Sequence, residues 1–579
     1  MHKSQQMLLT LLALFYSTVL LAQSNTAIVI HGIDKEIEVN VRLFLSIEQQ
    51  KNHPLMSEGR LRRLHEKASK EISSALQPFG FYRPVIESNL KFSSLENWQA
   101  TYTIDTGPQL SITEFDFTIS REMAEDEKIQ ELLQNNPLKT GAAFSHIQYE
   151  EFKSSLAKLA SERGYFNARF SVHRVEINLD TYSVNIHLNY EGGTRYIFGE
   201  VTLEQDILYD DLLQRYIPFE KGSPYHLDQV IDLQQALNDS YYFQTVEVSP
   251  GEPLHETNEI PISVQLTPRK RHRYLFGLGY GTDTGARAKF GWEMPRINKH
   301  GHRFDFETNV SQIGYSAIAN YRVPVLNPRT DQLIYTAGIV NETIDEREST
   351  LRTIGVSLKH TRSEWRETIS LNYQQEDYIV AEDSGVSILL IPGINWSRTW
   401  GNNFIDVLDG VRFDLDLRGA TEEVVSDTSF SQLSGNIKFI TSLNQRNRII
   451  TRGTLGGTWT DKFHQLPTSI RFFAGGAQSV RGYSYRSLGP IDEDGEVVGG
   501  RYLVVGSVEF EHSFKNDWGI AVFYDAGNAV DDLNDDLAKG AGFGFRWKSP
   551  VGPIRLDLAS ALSLDGNPWR IHVNIGPDL

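Results

Sequence analysis

The sequence contains no cysteine among its 579 residues. Disulfide bridges, thiolate metal sites and a lipid-modified N-terminal cysteine are therefore excluded. The formal net charge is -18 at pH 7. A chain of this charge repels polyanions, so we expect no nucleic-acid partner.

Long apolar runs are absent beyond the first 22 residues. The chain begins with the basic segment MHK and continues into an apolar run from Met7 to Ala22. This run is short for a membrane helix and typical of a secretory signal peptide, so we expect residues 1–22 to be a signal peptide. An exported chain with no later helical span is either soluble or crosses the membrane as a β-barrel.

The N-terminal half, from about Ala27 to Arg269, contains a pattern that recurs three times. Each copy has apolar residues at helical spacing, then an aromatic segment, then a strand. In the second copy, Ser145 and Gln148 predict a capping box at the start of the helix. The helical positions are Leu61, Leu64, Ala68, Ile72 and Leu76 in the first copy, Tyr149, Phe152, Leu156 and Leu159 in the second, and Leu227, Val230, Leu233 and Leu237 in the third.

These repeats predict three small α+β domains in a row, each a short sheet carrying two helices. Their expected boundaries are 23–106, 107–192 and 193–268. The aromatic residues at the helix ends are interpreted as core residues. An exposed strand edge in such a domain can accept an incoming strand by main-chain hydrogen bonding.

From about His272 onward the helical period gives way to alternation. Along Val411–Arg418, apolar side chains alternate with arginine and aspartate. An apolar face opposite a face with charges of both signs fits a transmembrane barrel with lipid outside and a wet lumen. A soluble sandwich also alternates, but its apolar face is internal, and roughly 300 residues is large for one sandwich. We therefore predict an all-β barrel over residues 269–579, with sixteen strands.

One stretch interrupts this alternation, RFFAGGAQSVRGYSYR at residues 471–486. Its glycines permit tight turns, so Arg481 can project from a fold-back of the chain. A cation that is partly sheltered from water needs an anionic partner. A hydrated surface loop with an ordinary arginine is the alternative interpretation.

Two barrel strands carry alternate glycines, at 277, 279 and 281 and at 540, 542 and 544. No helix follows either row, which argues against a nucleotide-binding loop. Glycine weakens strand order and permits close approach of neighbouring groups. The rows therefore indicate either packing against contents of the lumen or a weak seam in the barrel.

Taken together, the repeats and motifs resemble the superfamily of outer-membrane assembly factors and two-partner secretion transporters. The three repeats are similar to POTRA domains, and Val480-Arg481-Gly482-Tyr483 is similar to the VRGY/F motif of the sixth extracellular loop. The segments FYDAG (523–527) and PVGPIRLD (550–557) are similar to the FxDxG motif and the penultimate-strand signature. The C-terminal segment 574–579 most resembles the TamA branch of the superfamily.

The resemblance implies a functional site inside the barrel. Arg481, with Gly482 and Tyr483, is expected to lie in the lumen, where Arg481 pairs with Asp525 and Glu509. The barrel is expected to close through a weak seam between its first and last strands. The seam residues are Gly277, Gly279 and Gly281 on the first strand and Ile571, Val573 and Ile575 on the last.

The resemblance also implies a function without catalysis, namely insertion or secretion of outer-membrane proteins such as autotransporters. The barrel would lie in the outer membrane with the POTRA domains in the periplasm. The implied partners are unfolded outer-membrane protein clients, outer-membrane lipid and a TamB-like inner-membrane-anchored protein that contacts the first POTRA domain. No cofactor or metal is expected.

Three alternatives stay open. A two-partner secretion pore usually has two POTRA domains and a plug helix, whereas this chain has three repeats and no helix directly after Ala22. A BamA-like general assembly factor usually has five POTRA domains. A role in phospholipid traffic is the third alternative. Enzymatic activity is not expected, because the sequence has no GxSxG elbow, HExxH zinc motif or phosphate loop.

Overall fold

The computed structural model describes residues 25–401, 408–515, 517–549 and 552–575. The expected signal peptide at 1–22 and the last four residues, 576–579, lie outside the described residues. Within these ranges, no helix combines the length and the apolar character needed to span a membrane.

The first repeat is a three-stranded sheet covered by helices. The strand order is β1–β3–β2, with β1 parallel and β2 antiparallel to the central strand. The long helix α3 buries the residues that its spacing predicted, including Leu61, Ala68 and Ile72. Its N-terminal cap is Ser57, whose side chain accepts a hydrogen bond from the Arg60 amide. The elements are β1 (Asn25–His31), α1 (Lys35–Phe44), α2 (Ser46–Gln50), α3 (Glu58–Leu76), β2 (Val85–Ser94) and β3 (Asn97–Asp105).

The second repeat has the same sheet order, β4–β6–β5. Its long helix α6 buries Tyr149, Phe152 and Leu156, as predicted. The expected capping box is wrong, because the Ser145 side chain makes no capping hydrogen bond. Its hydroxyl donates instead to the carbonyl of Pro78, just after α3 of the first repeat, at 3.3 Å. The elements are β4 (Ser111–Ile119), α4 (Arg121–Ala124), α5 (Glu127–Gln134), α6 (His146–Glu162), β5 (Arg169–Asn178) and β6 (Ser183–Glu191).

The third repeat has the strand order β7–β9–β8. Helix α8 buries Val230, Leu233 and Leu237, three of its four predicted apolar positions. The elements are β7 (Ile197–Glu204), α7 (Asp210–Gln214), α8 (Leu227–Asp239), β8 (Phe243–Pro250) and β9 (Glu259–Pro268).

The chain forms two compact units. The first contains the described residues up to Glu200 together with Phe219–Gln229 and Pro250–Ile262. The second contains Val201–Pro218, Val230–Ser249 and the chain from Ser263 onward.

Within the second unit, part of the third repeat is fixed to the start of the barrel. The Tyr242 hydroxyl donates to the Gly301 carbonyl at 2.6 Å, and Arg303 donates to the Ser240 carbonyl at 3.2 Å. Gly301 precedes the third barrel strand. These contacts hold that end of the repeat against a turn of the barrel.

The C-terminal half is a single antiparallel sheet of sixteen strands, which confirms the predicted strand number. Each strand pairs with the next along the chain, so the sheet is a simple meander. The strands are β10 (Arg273–Gly281), β11 (Gly285–Met294), β12 (Arg303–Ser311), β13 (Gly314–Pro324), β14 (Asp331–Ile344), β15 (Arg347–Arg362), β16 (Trp365–Val380), β17 (Asp383–Gly401), β18 (Gly410–Ala420), β19 (Phe430–Asn444), β20 (Asn447–Trp459), β21 (Tyr502–Lys515), β22 (Trp518–Val530), β23 (Ala538–Ser549), β24 (Gly552–Ala561) and β25 (Trp569–Ile575).

The outer face of this sheet is apolar and open. Phe276, Leu278 and Ile354 are 80%, 92% and 68% exposed. Side chains of this size rarely stand fully open to water in rows. On the opposite face, buried arginines and carboxylates such as Arg546, Glu509 and Asp525 are less than 10% exposed. The two faces therefore suit lipid outside and a polar lumen inside.

Candidate functional site in the barrel lumen

The segment between β20 and β21 folds back on itself inside the barrel. Short antiparallel bridges join Phe472 to Gly500 and Ala474 to Leu488. At the tip, Gly482 has φ +99° and a Cβ there would lie 2.9 Å from the Ala561 amide nitrogen of the wall. Only glycine allows both this backbone conformation and this approach. We call the segment from Gly475 to Ser487 the lumen loop.

Arg481 is the centre of the lumen loop and is 2% exposed. Its Nε and one terminal nitrogen donate to the two carboxylate oxygens of Asp525, at 2.7 and 2.9 Å. The other terminal nitrogen donates to Glu509 at 2.6 Å and to Asp557 at 3.3 Å. The structure thus brings together the three charged residues that the motifs singled out, and it adds Asp557. A guanidinium suits this task because its donors form a rigid planar fork.

The strand register explains why these carboxylates converge. Asp525 of β22 lies opposite Ser507 of β21, and Glu509 is two residues further along β21. Residues two apart on a strand face the same side. The Ser507 hydroxyl donates to Asp525 at 2.6 Å, which orients that carboxylate toward Arg481.

An aromatic ring lies beneath the guanidinium. The Arg481 guanidinium carbon lies 3.4 Å from the centre of the Phe523 ring. Phe523 and Asp525 share a face of β22, so the FxDxG motif supplies both a planar surface and an anion. This stacking adds a cation–π contact to the ion pairs.

A second buried cation shares these carboxylates with Arg481. Arg546 of β23 donates to Glu509 at 2.6 Å, to Glu511 at 2.9 Å and to Asp557 at 2.6 Å. The carboxylates therefore share two guanidinium groups. Such sharing is needed because an unpaired buried charge is strongly unfavourable.

The glycines of β23 make room for close neighbours. A Cβ at Gly540 would lie 2.0 Å from the Arg481 carbonyl oxygen. A Cβ at Gly544 would lie 1.9 Å from an oxygen of Asp557 on the adjacent strand β24. Gly540 therefore packs against the lumen loop, in line with one of the two interpretations of the glycine pattern, whereas Gly544 makes room for a carboxylate of the wall.

Tyr483 and Gly482 anchor the loop to neighbouring strands. The Tyr483 hydroxyl donates to the Lys539 carbonyl at 3.1 Å and accepts from the Ser563 amide at 3.2 Å. The Gly482 amide donates to Nε2 of His572 on the last strand, at 2.9 Å. All three residues of the predicted loop motif thus contact the barrel wall.

A separate anchor lies at the base of this segment. Arg471 donates to Asp383 of β17 at 2.8 Å, and also to the Leu466 and His464 carbonyls, each at 2.8 Å. The anchoring is therefore distributed over several parts of the wall.

The seam differs from every other strand boundary in the sheet. Among the described residues, backbone ladders join each strand to the next, but no ladder joins β10 to β25. A hydrogen bond from the Val573 amide to the Thr282 hydroxyl, at 3.3 Å, links the two ends. Ile571 of β25 is 55% exposed on the outer face. The two ends of the sheet therefore lie side by side without a backbone ladder between their described residues.

The predicted seam glycines lie on β10 and pair with β11. Gly277 lies opposite Lys289, Gly279 opposite Arg287 and Gly281 opposite Gly285. A Cβ at Gly279 would lie 3.0 Å from Nε of Arg287, so the arginine side chain extends across this glycine. Ile575 ends β25, and the adjoining Gly576 lies outside the described residues.

Sequence reasoning missed several members of the site. Ser507, Asp557, Arg546 and His572 received no role, although Asp557 was part of the quoted penultimate-strand motif. The available signal was the alternation of side chains along a strand, which places every second residue on the same face. Ser507 shares the strand face of Glu509, and His572 shares the polar face of the last strand. Alternation identifies the face on which a side chain lies, but only the register between strands shows which residues of that face come into contact.

This arrangement can perform a mechanical role rather than a chemical reaction. It fixes a loop to the wall by ion pairs and hydrogen bonds, beside a seam without a ladder. Within the described ranges, no group of three or more His, Asp or Glu side chains is placed to hold a metal ion.

Family models match most of the chain. Residues 272–578 match the model described as the Omp85 superfamily domain. Residues 27–106 match the model described as POTRA domain TamA domain 1. Residues 112–193 match a POTRA model described as a surface antigen variable number repeat.

Two curated relatives are similar over long stretches. The outer membrane protein assembly factor BamA of Nitratidesulfovibrio vulgaris is 24% identical over 378 residues, which is 60% of this chain and 46% of the relative. BamA of Neorickettsia risticii is 21% identical over 481 residues, which is 75% of this chain and 62% of the relative. The chain thus spans about half to three fifths of the length of these relatives.

A solved structure has the same fold. The crystal structure of BamA from Haemophilus ducreyi lacking POTRA domains 1–3 has a TM-score of 0.66 and 18% sequence identity. The similarity covers 80% of this chain and 99% of that one.

Proposed function

The chain belongs to the Omp85 superfamily, and from this premise we propose that it inserts or exports outer-membrane proteins through the seam of its barrel. The barrel lies in the outer membrane, and the POTRA domains lie in the periplasm. The proposal rests on the seam, where the first and last strands adjoin without a backbone ladder among the described residues.

The seam gives a physical route for a client strand. Unpaired N–H and C=O groups on a strand edge accept another strand. Inside a membrane such groups cannot be satisfied by water, so an opened seam strongly favours pairing with a client. The side-chain link between Val573 and Thr282 leaves few hydrogen bonds to break before opening.

The periplasmic domains supply a second place for strand pairing. In the first two sheets, β2 and β5 lie at the outer edge, next to the central strand on one side only. A client segment that adds to such an edge is held extended before it reaches the barrel. This step needs no chemistry, in agreement with a site built from ion pairs and hydrogen bonds.

A disulfide across the seam tests the proposal. Thr282→Cys and Val573→Cys would introduce a thiol pair at the contact between the two ends, in a chain that has no other cysteine. A matched control joins two strands that are already paired, through Val356→Cys and Leu371→Cys in β15 and β16. We expect oxidation of the seam pair to stop client insertion into vesicles, and oxidation of the control pair to leave it unchanged. Full insertion with the seam disulfide formed would refute the proposal.

Within the superfamily, we propose a TamA-type role with a TamB-like partner at the first POTRA domain. The match of residues 27–106 to a TamA-type domain supports this assignment. So does the number of repeats, since the structure has three sheets of the same strand order. The clients would then be a subset of outer-membrane proteins, such as autotransporters.

A BamA-like general role is the second candidate, because the curated relatives are BamA proteins. Depletion of the chain from cells separates the two roles. A TamA-type factor predicts loss of a few outer-membrane proteins, whereas a general factor predicts a decrease of all barrel proteins. Photo-crosslinking from Leu43, which is 65% exposed on α1, would capture an inner-membrane-anchored protein only in the first case.

A further inference from the structure

The lumen loop contacts both sides of the seam. The Ala477 amide donates to Asp283, at 2.9 Å, in the turn that follows β10. Five residues later, the Gly482 amide donates to His572 on β25, at 2.9 Å. Arg570 of the same strand donates to the Ser484 hydroxyl at 2.6 Å. One short stretch of chain therefore bridges the two ends of the sheet from inside.

We propose that this stretch, Gly476–Ser484, is a staple that holds the seam shut through His572 and Asp283. The proposal rests on the proposed function, in which the seam opens. It adds the residues that control the opening. The two ends are joined at the seam itself by the Val573–Thr282 hydrogen bond among the described residues, so contacts through the loop provide much of the hold.

The chemistry of His572 makes it the central residue of the staple. It is 1% exposed, and its Nε2 accepts the Gly482 N–H. A neutral imidazole that accepts at Nε2 carries its proton on Nδ1. That nitrogen lies 3.7 Å from an Asp283 oxygen, and it is buried without a hydrogen-bond partner. A slight closure of the seam would complete the bond, so His572 senses both the loop and the first hairpin.

Arg481 connects the staple to the wall. It lies immediately before Gly482, and its own amide donates to Asp525 at 3.0 Å. Because Asp525 sits on β22, the loop cannot leave its place on that wall without pulling its amides from His572 and Asp283. Release of the loop from the wall therefore removes the staple.

Spin labels on the outer face measure the seam directly. Tyr280→Cys on β10 and Ile571→Cys on β25 replace side chains that are 56% and 55% exposed, and the chain has no native cysteine. Distances between the labels would be measured by electron double resonance on the full chain in lipid nanodiscs. The unaltered seam is expected to give one narrow distribution.

Three substitutions in this labelled background test the staple. His572→Leu removes the acceptor, and we expect a second, longer distance whose population is several-fold above background. His572→Gln keeps an acceptor oxygen at a similar reach and should restore the narrow distribution. Asp283→Ala, in a turn outside the strands, should broaden the distance distribution as His572→Leu does. It provides the same test if His572→Leu fails to fold.

A control loosens the base of the segment that carries the lumen loop, away from the seam. Asp383→Ala removes the carboxylate that holds Arg471 and touches neither seam strand. It should leave the distance distribution narrow. Equal broadening by Asp383→Ala, or an unchanged distribution in both His572→Leu and Asp283→Ala, would overturn the staple.

Client insertion is measured on the same samples. Broadening with a changed rate of insertion supports both the staple and the proposed function. Broadening with unchanged insertion keeps the staple and removes the seam as the route for clients. The two ideas can therefore fail independently.

Discussion

At the residue scale, the arrangement depends on a guanidinium rather than on positive charge alone. Arg481 serves both oxygens of Asp525 and also reaches Glu509 and Asp557. A lysine ammonium is a point charge that cannot present this planar set of donors. The number of contacts also explains how a loop can be held in spite of the conformational entropy it loses.

Charge reversal at Arg481 should release the loop while leaving the barrel folded. Removing one partner of a buried ion pair costs about 3–5 kcal/mol. A cost of this size shifts the equilibrium between the bound and the released loop by roughly a hundredfold or more toward release. Arg481→Glu should therefore impair assembly activity severely, and Arg481→Lys should impair it less. Heat-modifiable gel mobility checks that the barrel is intact. Normal activity in Arg481→Glu would mean that the ion pairs are dispensable.

Alanine substitutions in the two glycine rows are expected to affect the lumen loop differently. Gly540→Ala places a Cβ 2.0 Å from the Arg481 carbonyl, whereas Gly277→Ala meets only the Lys289 Cβ at 3.5 Å, an ordinary contact. Overpacking of this kind costs about 1–3 kcal/mol. With Val480→Cys as the only thiol, a buried reporter in the loop, Gly540→Ala should speed maleimide labelling by roughly five- to a hundredfold. Gly277→Ala should label at the parent rate, and equal rates in both variants would contradict the packing role of Gly540.

At the scale of elements, the periplasmic domains are joined by short, polar junctions rather than free linkers. The Tyr82 hydroxyl and His146 lie 2.5 Å apart between the first and second repeats. Between the second and third, His226 lies 2.5 Å from a terminal nitrogen of Arg163. His146 is the first residue of α6, and His226 immediately precedes α8. In both junctions, a histidine at the start of a long helix therefore contacts the preceding repeat.

The second junction should weaken in mild acid. Burial lowers the pKa of His226, and the nearby Arg163 and Arg195 lower it further, against opposing effects of Asp126 and Asp228. A histidine whose folded pKa is lowered stabilises the fold at pH above its unfolded pKa of about 6.5. That contribution is lost as the pH falls through about 6.5 toward the lowered folded pKa.

Hydrogen exchange measures this effect. We expect amides in the first turn of α8 to exchange faster at about pH 5.5 than at about pH 7.5, after correction for the intrinsic rate. His226→Gln should remove the difference, because glutamine does not titrate. An equal pH dependence in the variant would show that another group controls the junction.

The sequence predicted the elements better than their connections. The buried face of α6, with Tyr149, Phe152 and Leu156, follows from a local period. The box expected at Ser145 failed, and its hydroxyl is instead turned toward the Pro78 carbonyl of the preceding domain, to which it donates; no local pattern reveals that neighbour. The contact between Gly482 and His572 likewise depends on the register of the last strands. The missing ladder leaves no trace in the sequence, because strands alternate whether or not they are paired.

At the scale of the whole molecule, the chain combines two kinds of stability. All α-helices of the described residues lie between Lys35 and Asp239, and those of the first two repeats lie in domains with small separate cores. Small domains bury a modest fraction of their surface and are marginally stable. The barrel instead satisfies its backbone groups through continuous ladders from β10 to β25, and breaking them in lipid or detergent is costly.

The two halves should therefore unfold separately in urea. In detergent micelles, circular dichroism at 222 nm reports mainly the helices, whereas heat-modifiable gel mobility reports the barrel. We expect the helical signal to disappear reversibly at urea concentrations where the gel mobility is still that of a folded barrel. Tyr242→Phe removes the hydrogen bond to the Gly301 carbonyl and should lower the midpoint of the helical transition without changing the mobility. If both signals were lost together in a single transition, the periplasmic domains would draw their stability from the barrel rather than from their own cores.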